Sequence, residues 1–213
     1  MPTDSKMHWE NLYRTKQSHE LSWTQDIPSC SLELIRKCSL PKSAPIIDVG
    51  GGDSKLVDYL LAEGYEDITV LDISQTALER ATKRLGEKQH AVKWINSDML
   101  QFKPRQRYAL WHDRAAFHFL REQDQIRQYV HTVIQCVSAY LVLGTFSALG
   151  PPKCSGLDIT QYSEEKLAST FSPQFTKLDC QEEAHQTPFD SWQHFLFCRF
   201  QLKETSQLYA TDP

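Results

Sequence analysis

Gly50, Gly51 and Gly52 stand together where the apolar run "PIIDV" stops and the helical pattern of "SKLVDYLLAEG" begins. Without β-carbons, glycines take unusual backbone angles and let a ligand touch the main chain, and the following helix offers free amides at its positive end. Carboxylates recur in step with this turn. Asp48 lies in the first apolar run, Asp72 closes "DITVLD", and Asp98 follows the third run in "NSDML". A carboxylate in the position of Asp72 can accept both hydroxyls of a ribose, and Asp98 is placed for an adenine amino group, with Met99 as apolar cover. A fourth run ends in "WHDRAAFHFL". There Asp113 can orient an amine and His112 can take its proton, histidine having the ordinary pKa nearest neutrality. Trp23, Arg114, Cys154 and His185 are the remaining candidates to shape a substrate pocket.

The elements that must position these residues alternate along the chain. "APIIDVG", "DITVLDI", "AVKWINSDML" and "AYLVLGTF" read as buried strands, being short and rich in branched residues. Between them, "SKLVDYLLAEG" and "SQTALERATKRLG" read as helices, the second capped by Ser74, and residues 123 to 137 as another. "RAAFHF" is expected to form a helix as well. This βαβ rhythm predicts a parallel, doubly wound sheet with helices on both faces. Upstream, two short helices are expected in residues 1–40, one of them capped by Ser31. Downstream, 147–162 is a Pro- and Gly-bearing loop, "SEEKLASTF" a helix, and "FTKLDCQEEAH" and "HFLFCRFQL" two closing strands of a hairpin. A single domain over 1–203, with 204–213 a flexible tail, is the expected organisation.

The turn does not fit a dinucleotide fingerprint. G-x-G-x-x-G counted from Gly50 requires glycine at 55, where Lys55 stands. Counted as G-x-G-x-G it gives Gly50, Gly52 and Ser54, the S-adenosylmethionine pattern with Ser in place of the last glycine. On these residues the sequence resembles the class I (Rossmann-like) S-adenosylmethionine-dependent methyltransferases: "IIDVGGGDS" looks like their first motif, "VLDIS" the second, "NSDML" the third and "LWHDRAAFHFL" the fourth, over roughly residues 8 to 146. The resemblance implies a seven-stranded sheet whose seventh strand is antiparallel. It implies that Asp48, Gly50 and Gly52 hold the methionine part of the cofactor, Asp72 the ribose, Ile73 one adenine face, and Asp98 with Met99 the adenine edge. "HWENLYRTK", with Trp9 and Tyr13 on one face, resembles the cofactor-covering helix of methyltransferases similar to the eukaryotic lysine-directed group. Their fourth motif contains Asp-Lys-Gly, where this sequence has Arg for Lys and Ala for Gly, and the Pro-Gly-Gly turn common before the fifth strand is missing.

The implied activity is methyl transfer from S-adenosylmethionine, leaving S-adenosylhomocysteine, to a small molecule or a protein lysine. No motif separates oxygen, nitrogen and sulfur acceptors. A non-catalytic binding protein on the same scaffold and a nicotinamide-dependent oxidoreductase are the alternatives, the latter lacking a Tyr-x-x-x-Lys motif. With 213 residues, 40% hydrophobic and 23% charged, the composition is that of a soluble globular chain, and no apolar stretch approaches the length that spans a bilayer. A net charge of −4 offers no broad positive field for nucleic acid. The N-terminus shows no secretory or transit pattern, so a cytoplasmic location is expected. Six cysteines without C-x-x-C or zinc-ligand spacing suit a reducing compartment and predict neither a disulfide framework nor a metal site.

Overall fold

A computed structural model describes residues 2–204. Its centre is a seven-stranded sheet of order β3-β2-β1-β4-β5-β9-β8. The strands are β1 (Ile46–Val49), β2 (Ile68–Asp72), β3 (Val92–Asn96), β4 (Tyr108–Arg114), β5 (Val137–Phe146), β8 (Phe175–Gln186) and β9 (Trp192–Leu202). The first five pair in parallel, whereas β9 runs antiparallel to both β5 and β8. This is the sheet the alternation and the terminal hairpin imply. Every residue of β1 and β2 is buried, which is why these interior parallel strands read as unbroken apolar runs.

Side chains alternate across the sheet, and the alternation divides the core in two. Ile46, Ile68, Val70 and Leu110 face α2 (Ser29–Lys37), α3 (Leu56–Ala62) and α4 (Gln75–Leu85). Ile47, Val49, Leu71 and Trp111 face the opposite way, toward α5 (Gln123–Cys136) and α6 (Glu164–Phe171). Each fully buried aliphatic or aromatic side chain contributes on the order of 1.5–3 kcal/mol, so the two apolar layers hold the strand ends in fixed register. The ends of β1, β2 and β4 thereby become rigid mounts for the carboxylates.

Local signals set the helix ends. Ser74 Oγ accepts the Ala77 amide at 3.1 Å and starts α4, and Gly86 at φ +56° ends it. Ser163 caps α6 in the same manner. Three expectations change. Ser31 lies inside α2 rather than at its cap, because the helix begins at Ser29 after Pro28. "RAAFHF" gives only a three-residue 3-10 turn, Phe117–Phe119, since β4 runs on through Arg114 and Ala115 takes φ +66°. The loop 147–162 contains a small hairpin of β6 (Lys153–Cys154) and β7 (Leu157–Asp158).

The cysteine expectation is also corrected. Cys180 and Cys198 stand directly opposite in the β8–β9 register and form a disulfide, while Cys30, Cys38, Cys136 and Cys154 are free and buried. Linear spacing concealed the pair, since it is created by strand register. No helix among the described residues is long and apolar enough to cross a membrane. The tail expected at 204–213 lies, beyond Glu204, outside the described residues.

Candidate functional site

A chamber of about 430 Å³ opens at the carboxyl ends of β1, β2 and β4. Its roof is α1 (Pro2–Thr15), which contributes Trp9 and Tyr13. These aromatics pack edge-on with Trp23 and Phe119, the Trp9–Phe119 ring centroids lying 5.0 Å apart and Trp9–Trp23 5.8 Å. Glu10 latches the helix down: it accepts from Ser74 Oγ at 2.9 Å, Thr76 Oγ1 at 2.5 Å and the Thr76 amide at 3.3 Å. Burial alone would raise the Glu10 pKa, but these hydrogen bonds win and hold it below the usual carboxylate value. Arg80 of α4 adds a grip on the carbonyls of Tyr13 and Lys16.

The floor is the strand ends. Gly50, Asp72, Ile73, Asp98 and Met99 line the same chamber as Trp9 and Tyr13. Asp72 Oδ1 accepts the Ser74 amide at 2.7 Å. Burial pushes the Asp72 carboxyl up to about 7, against the lowering effect of that amide, with the nearby charges of Asp53 and Asp48 adding to the rise. Asp98 Oδ1 accepts the Leu100 amide at 2.9 Å, which fixes its carboxyl at the start of a turn. Gly52 is held by closeness rather than by the lining: a β-carbon there would sit 2.7 Å from Tyr13 Oη and 3.2 Å from Asp72 Oδ2. At Gly50, φ is +69° and a β-carbon would meet that of Ala116 at 2.5 Å. The turn can therefore pack this closely against Ala116 and Tyr13 only because the residues are glycines.

Asp48 is not in the chamber wall. Its Oδ1 pairs with His112 Nδ1 at 2.7 Å, while His112 Nε2 meets Ser31 Oγ at 2.9 Å. Asp48, His112, Ser31, Gly50 and Gly51 surround a small inner void of about 40 Å³ behind the glycine turn. His112, 2% exposed, thus has both ring nitrogens engaged and does not face the chamber. Asp113 points through the sheet to the opposite face, as the next residue of a strand must. It accepts the amides of Ala116 and Phe117 at 3.0 and 3.1 Å and the Tyr129 hydroxyl at 2.6 Å. Burial pushes its carboxyl up to about 6, with the Tyr129 hydrogen bond acting the other way. His112 thus buttresses Asp48, and Asp113 caps the 3-10 turn within the α5-side core; neither of the two residues expected to be catalytic lines the chamber.

Trp23, Arg114 and Cys154 do line the chamber. Burial pushes the Cys154 thiol up to about 11, which leaves it neutral and a poor nucleophile. His185 does not line it; its Nε2 meets the Ser22 carbonyl at 2.8 Å and its ring packs near Phe195. Phe119, Ser97 and Leu100 are among the wall residues that were not singled out as site residues. The position of Phe119 within "WHDRAAFHFL" was the available signal for it. Glu10 carried none, because its partners lie 64 to 66 residues away.

Residues 46–139 match a family model described as a methyltransferase domain. The chain is 24% identical over 152 residues to the mouse eEF1A lysine and N-terminal methyltransferase, covering 66% of this chain and 21% of that protein. It is 26% identical over 110 residues to nodulation protein S of Rhizobium fredii, covering 51% of this chain and 62% of the relative. The chain therefore spans less than two thirds of either relative. Among solved structures, a protein from a study of conversion of a disulfide bond into a thioacetal group during echinomycin biosynthesis superposes with TM-score 0.75 at 17% identity, covering 95% of this chain and 94% of that one. The N-methyltransferase NodS of Bradyrhizobium japonicum, solved with S-adenosylhomocysteine, superposes with TM-score 0.69 at 18% identity, covering 92% and 99%.

Proposed function

We propose that this chain, which matches a methyltransferase domain over residues 46–139 and has the fold of the class I S-adenosylmethionine-dependent methyltransferases, binds S-adenosylmethionine beneath α1 and transfers its methyl group to a small-molecule or lysine acceptor. The observation that carries this reading is the convergence of Asp72, Asp98 and the Gly50 turn on one chamber roofed by Trp9 and Tyr13. The residues fit the cofactor. Gly50 and Gly52 hold left-handed backbone angles that let the turn pack tightly under Ala116 and Tyr13, Gly50 lines the chamber, and Asp72 offers carboxylate acceptor positions beside it.

Asp72 would hold the ribose hydroxyls, Asp98 and Met99 the adenine edge and Ile73 one adenine face, with Gly50 and Gly52 against the methionine part. Asp48 places negative charge behind the glycine turn and is kept in position by His112 and Ser31. When bound, the cofactor supplies a methyl group on a sulfonium, open to in-line displacement by a nucleophile lone pair. The chain's own contribution is orientation and dryness. Fixing two reactants in line is worth on the order of 7–11 kcal/mol of barrier, and the Trp9, Trp23 and Phe119 rings exclude water from the place where they meet. With His112 and Asp113 both committed to internal partners, an acceptor is served best when it arrives with its lone pair already free.

Isothermal titration of the full chain with S-adenosylhomocysteine tests the donor site. Saturable micromolar binding is expected, and NAD should produce none. Binding of NAD in preference to S-adenosylhomocysteine would overturn the reading. Transfer of labelled methyl into a lysate and a small-molecule panel then separates an enzyme from a non-catalytic binder.

A further inference from the structure

Among the described residues, Arg114 is the cationic residue in the chamber lining, where it also borders the small void behind the glycine turn, and its hydrogen bonding is incomplete. Arg114 Nη1 donates to the Trp23 carbonyl at 2.9 Å, but Nε and Nη2 have no partner and no contact with bulk water. Those two N–H groups lie side by side on one edge of the guanidinium, the pair that binds a carboxylate through two parallel hydrogen bonds. The flat face is covered by the Phe195 ring, 4.6 Å from centroid to guanidinium carbon. No carboxylate among the described residues stands at ion-pair distance from Arg114. Glu183, the strongest charge acting on it, is turned to Gln25 Nε2 at 3.2 Å.

A buried charge left without partners costs several kcal/mol, a cost that proteins ordinarily offset with a counter-ion. A second buried donor, outside the chamber lining, also lacks a partner. His118 is fully buried and its Nδ1 accepts the Phe146 amide at 3.1 Å, so the proton sits on Nε2, which has no partner. The two adjacent unsatisfied N–H groups of Arg114, on one cationic side chain, mark a place for an anionic oxygen pair.

Sheet order decides which ligand brings it. Asp72 and Asp98 belong to the β2 and β3 side of β1. Arg114 instead leans across the other side of β4, against Phe195 of β9 and beside Cys154 in the loop after β5. We propose that the free edge of Arg114 binds a carboxylate of the methyl acceptor, making a small carboxylate-bearing molecule the substrate class of this site. This inference rests on the methyltransferase reading above.

The test uses the full chain saturated with S-adenosylhomocysteine and ligand-observed NMR titration with small monocarboxylates from acetate, 3-mercaptopropionate to benzoate, each against its neutral amide. The best-bound acid should exceed its amide by at least tenfold in affinity. Arg114→Met should reduce that preference below threefold, and Arg114→Lys, which keeps charge but loses the fork, should retain only part of it. Both variants should bind S-adenosylhomocysteine within threefold of wild type, which also reports that they are folded. Equal binding of every acid and amide by wild type overturns the inference. So does a tenfold loss of S-adenosylhomocysteine in Arg114→Lys with binding of methylthioadenosine, which lacks the carboxylate, unchanged; the guanidinium would then serve the donor. Failure of wild type to bind S-adenosylhomocysteine at all strikes instead at the methyltransferase reading and takes this inference with it.

Discussion

Asp72→Asn should move stability and binding in opposite directions. The native carboxyl is pushed up to about 7 by burial, whereas in an unfolded chain an aspartate titrates at about 3.9. As pH rises from about 4, the unfolded state gives up its proton first, so the native state loses relative stability. The loss levels off above pH 7, where both states are ionised, at about 4 kcal/mol. Asn has no proton to lose and nearly the same shape, so the difference between variant and wild type opens between pH 4 and 7. The wild-type loss already includes the favourable hydrogen bond from the Ser74 amide, 2.7 Å away, which the amide oxygen of Asn can also accept. The net effect is about 4 kcal/mol of added stability at pH 8, or roughly 8–16 °C in Tm, and about 1 kcal/mol at pH 4.5. Binding of S-adenosylhomocysteine should meanwhile weaken by about 10- to 100-fold, the cost of replacing a carboxylate acceptor. Thermal unfolding across pH and titration calorimetry read the two effects separately. A variant less stable than wild type at pH 8, or one that binds the ligand as tightly, would refute the reasoning.

Two further substitutions probe the strand ends. Asp113→Asn leaves the Tyr129 hydroxyl facing an amide NH2 that cannot accept, which should cost about 1–3 kcal/mol in chemical denaturation at pH 4.5. Above pH 6 this is offset by escape from the buried charge, about 3 kcal/mol, so the destabilisation should shrink toward pH 8 while S-adenosylhomocysteine binds within threefold of wild type; stability unchanged at every pH with lost methyl transfer would return the residue to acceptor orientation. Gly50→Ala forces a side chain to φ +69° and into the Ala116 β-carbon, which should cost about 1–3 kcal/mol and at least tenfold in S-adenosylhomocysteine affinity. Gly64→Ala, at φ +85° with open space around it, should share the strain and leave binding intact. Equal affinity losses in both variants would show that the Gly50 turn has no special relation to the ligand.

What was legible in the chain was what repeats locally. β1 and β2 are buried on both faces and therefore read as apolar runs, and the Ser74 and Ser163 caps sit next to the amides they satisfy. The glycine turn and the two strand-end aspartates shared a register set by βαβ units of similar length. The fourth motif misled because adjacency in sequence is opposition in a strand. His112 and Asp113 are one residue apart, yet their partners are Asp48 on one face and Tyr129 on the other. The disulfide belongs to the same class of hidden relation, being a product of the β8–β9 register rather than of spacing.

The latch between Glu10 and the first turn of α4 gives the chamber a clock. Since α1 furnishes the roof and Glu10 its fastening, an occupant's departure is tied to release of that helix. Release must break these hydrogen bonds together with the Arg80 grip on Tyr13 and Lys16 and the packing of Trp9 on Phe119 and Trp23. Residence time inside is then a property of the lid, and a Glu10 substitution would shorten it without touching any atom of the floor.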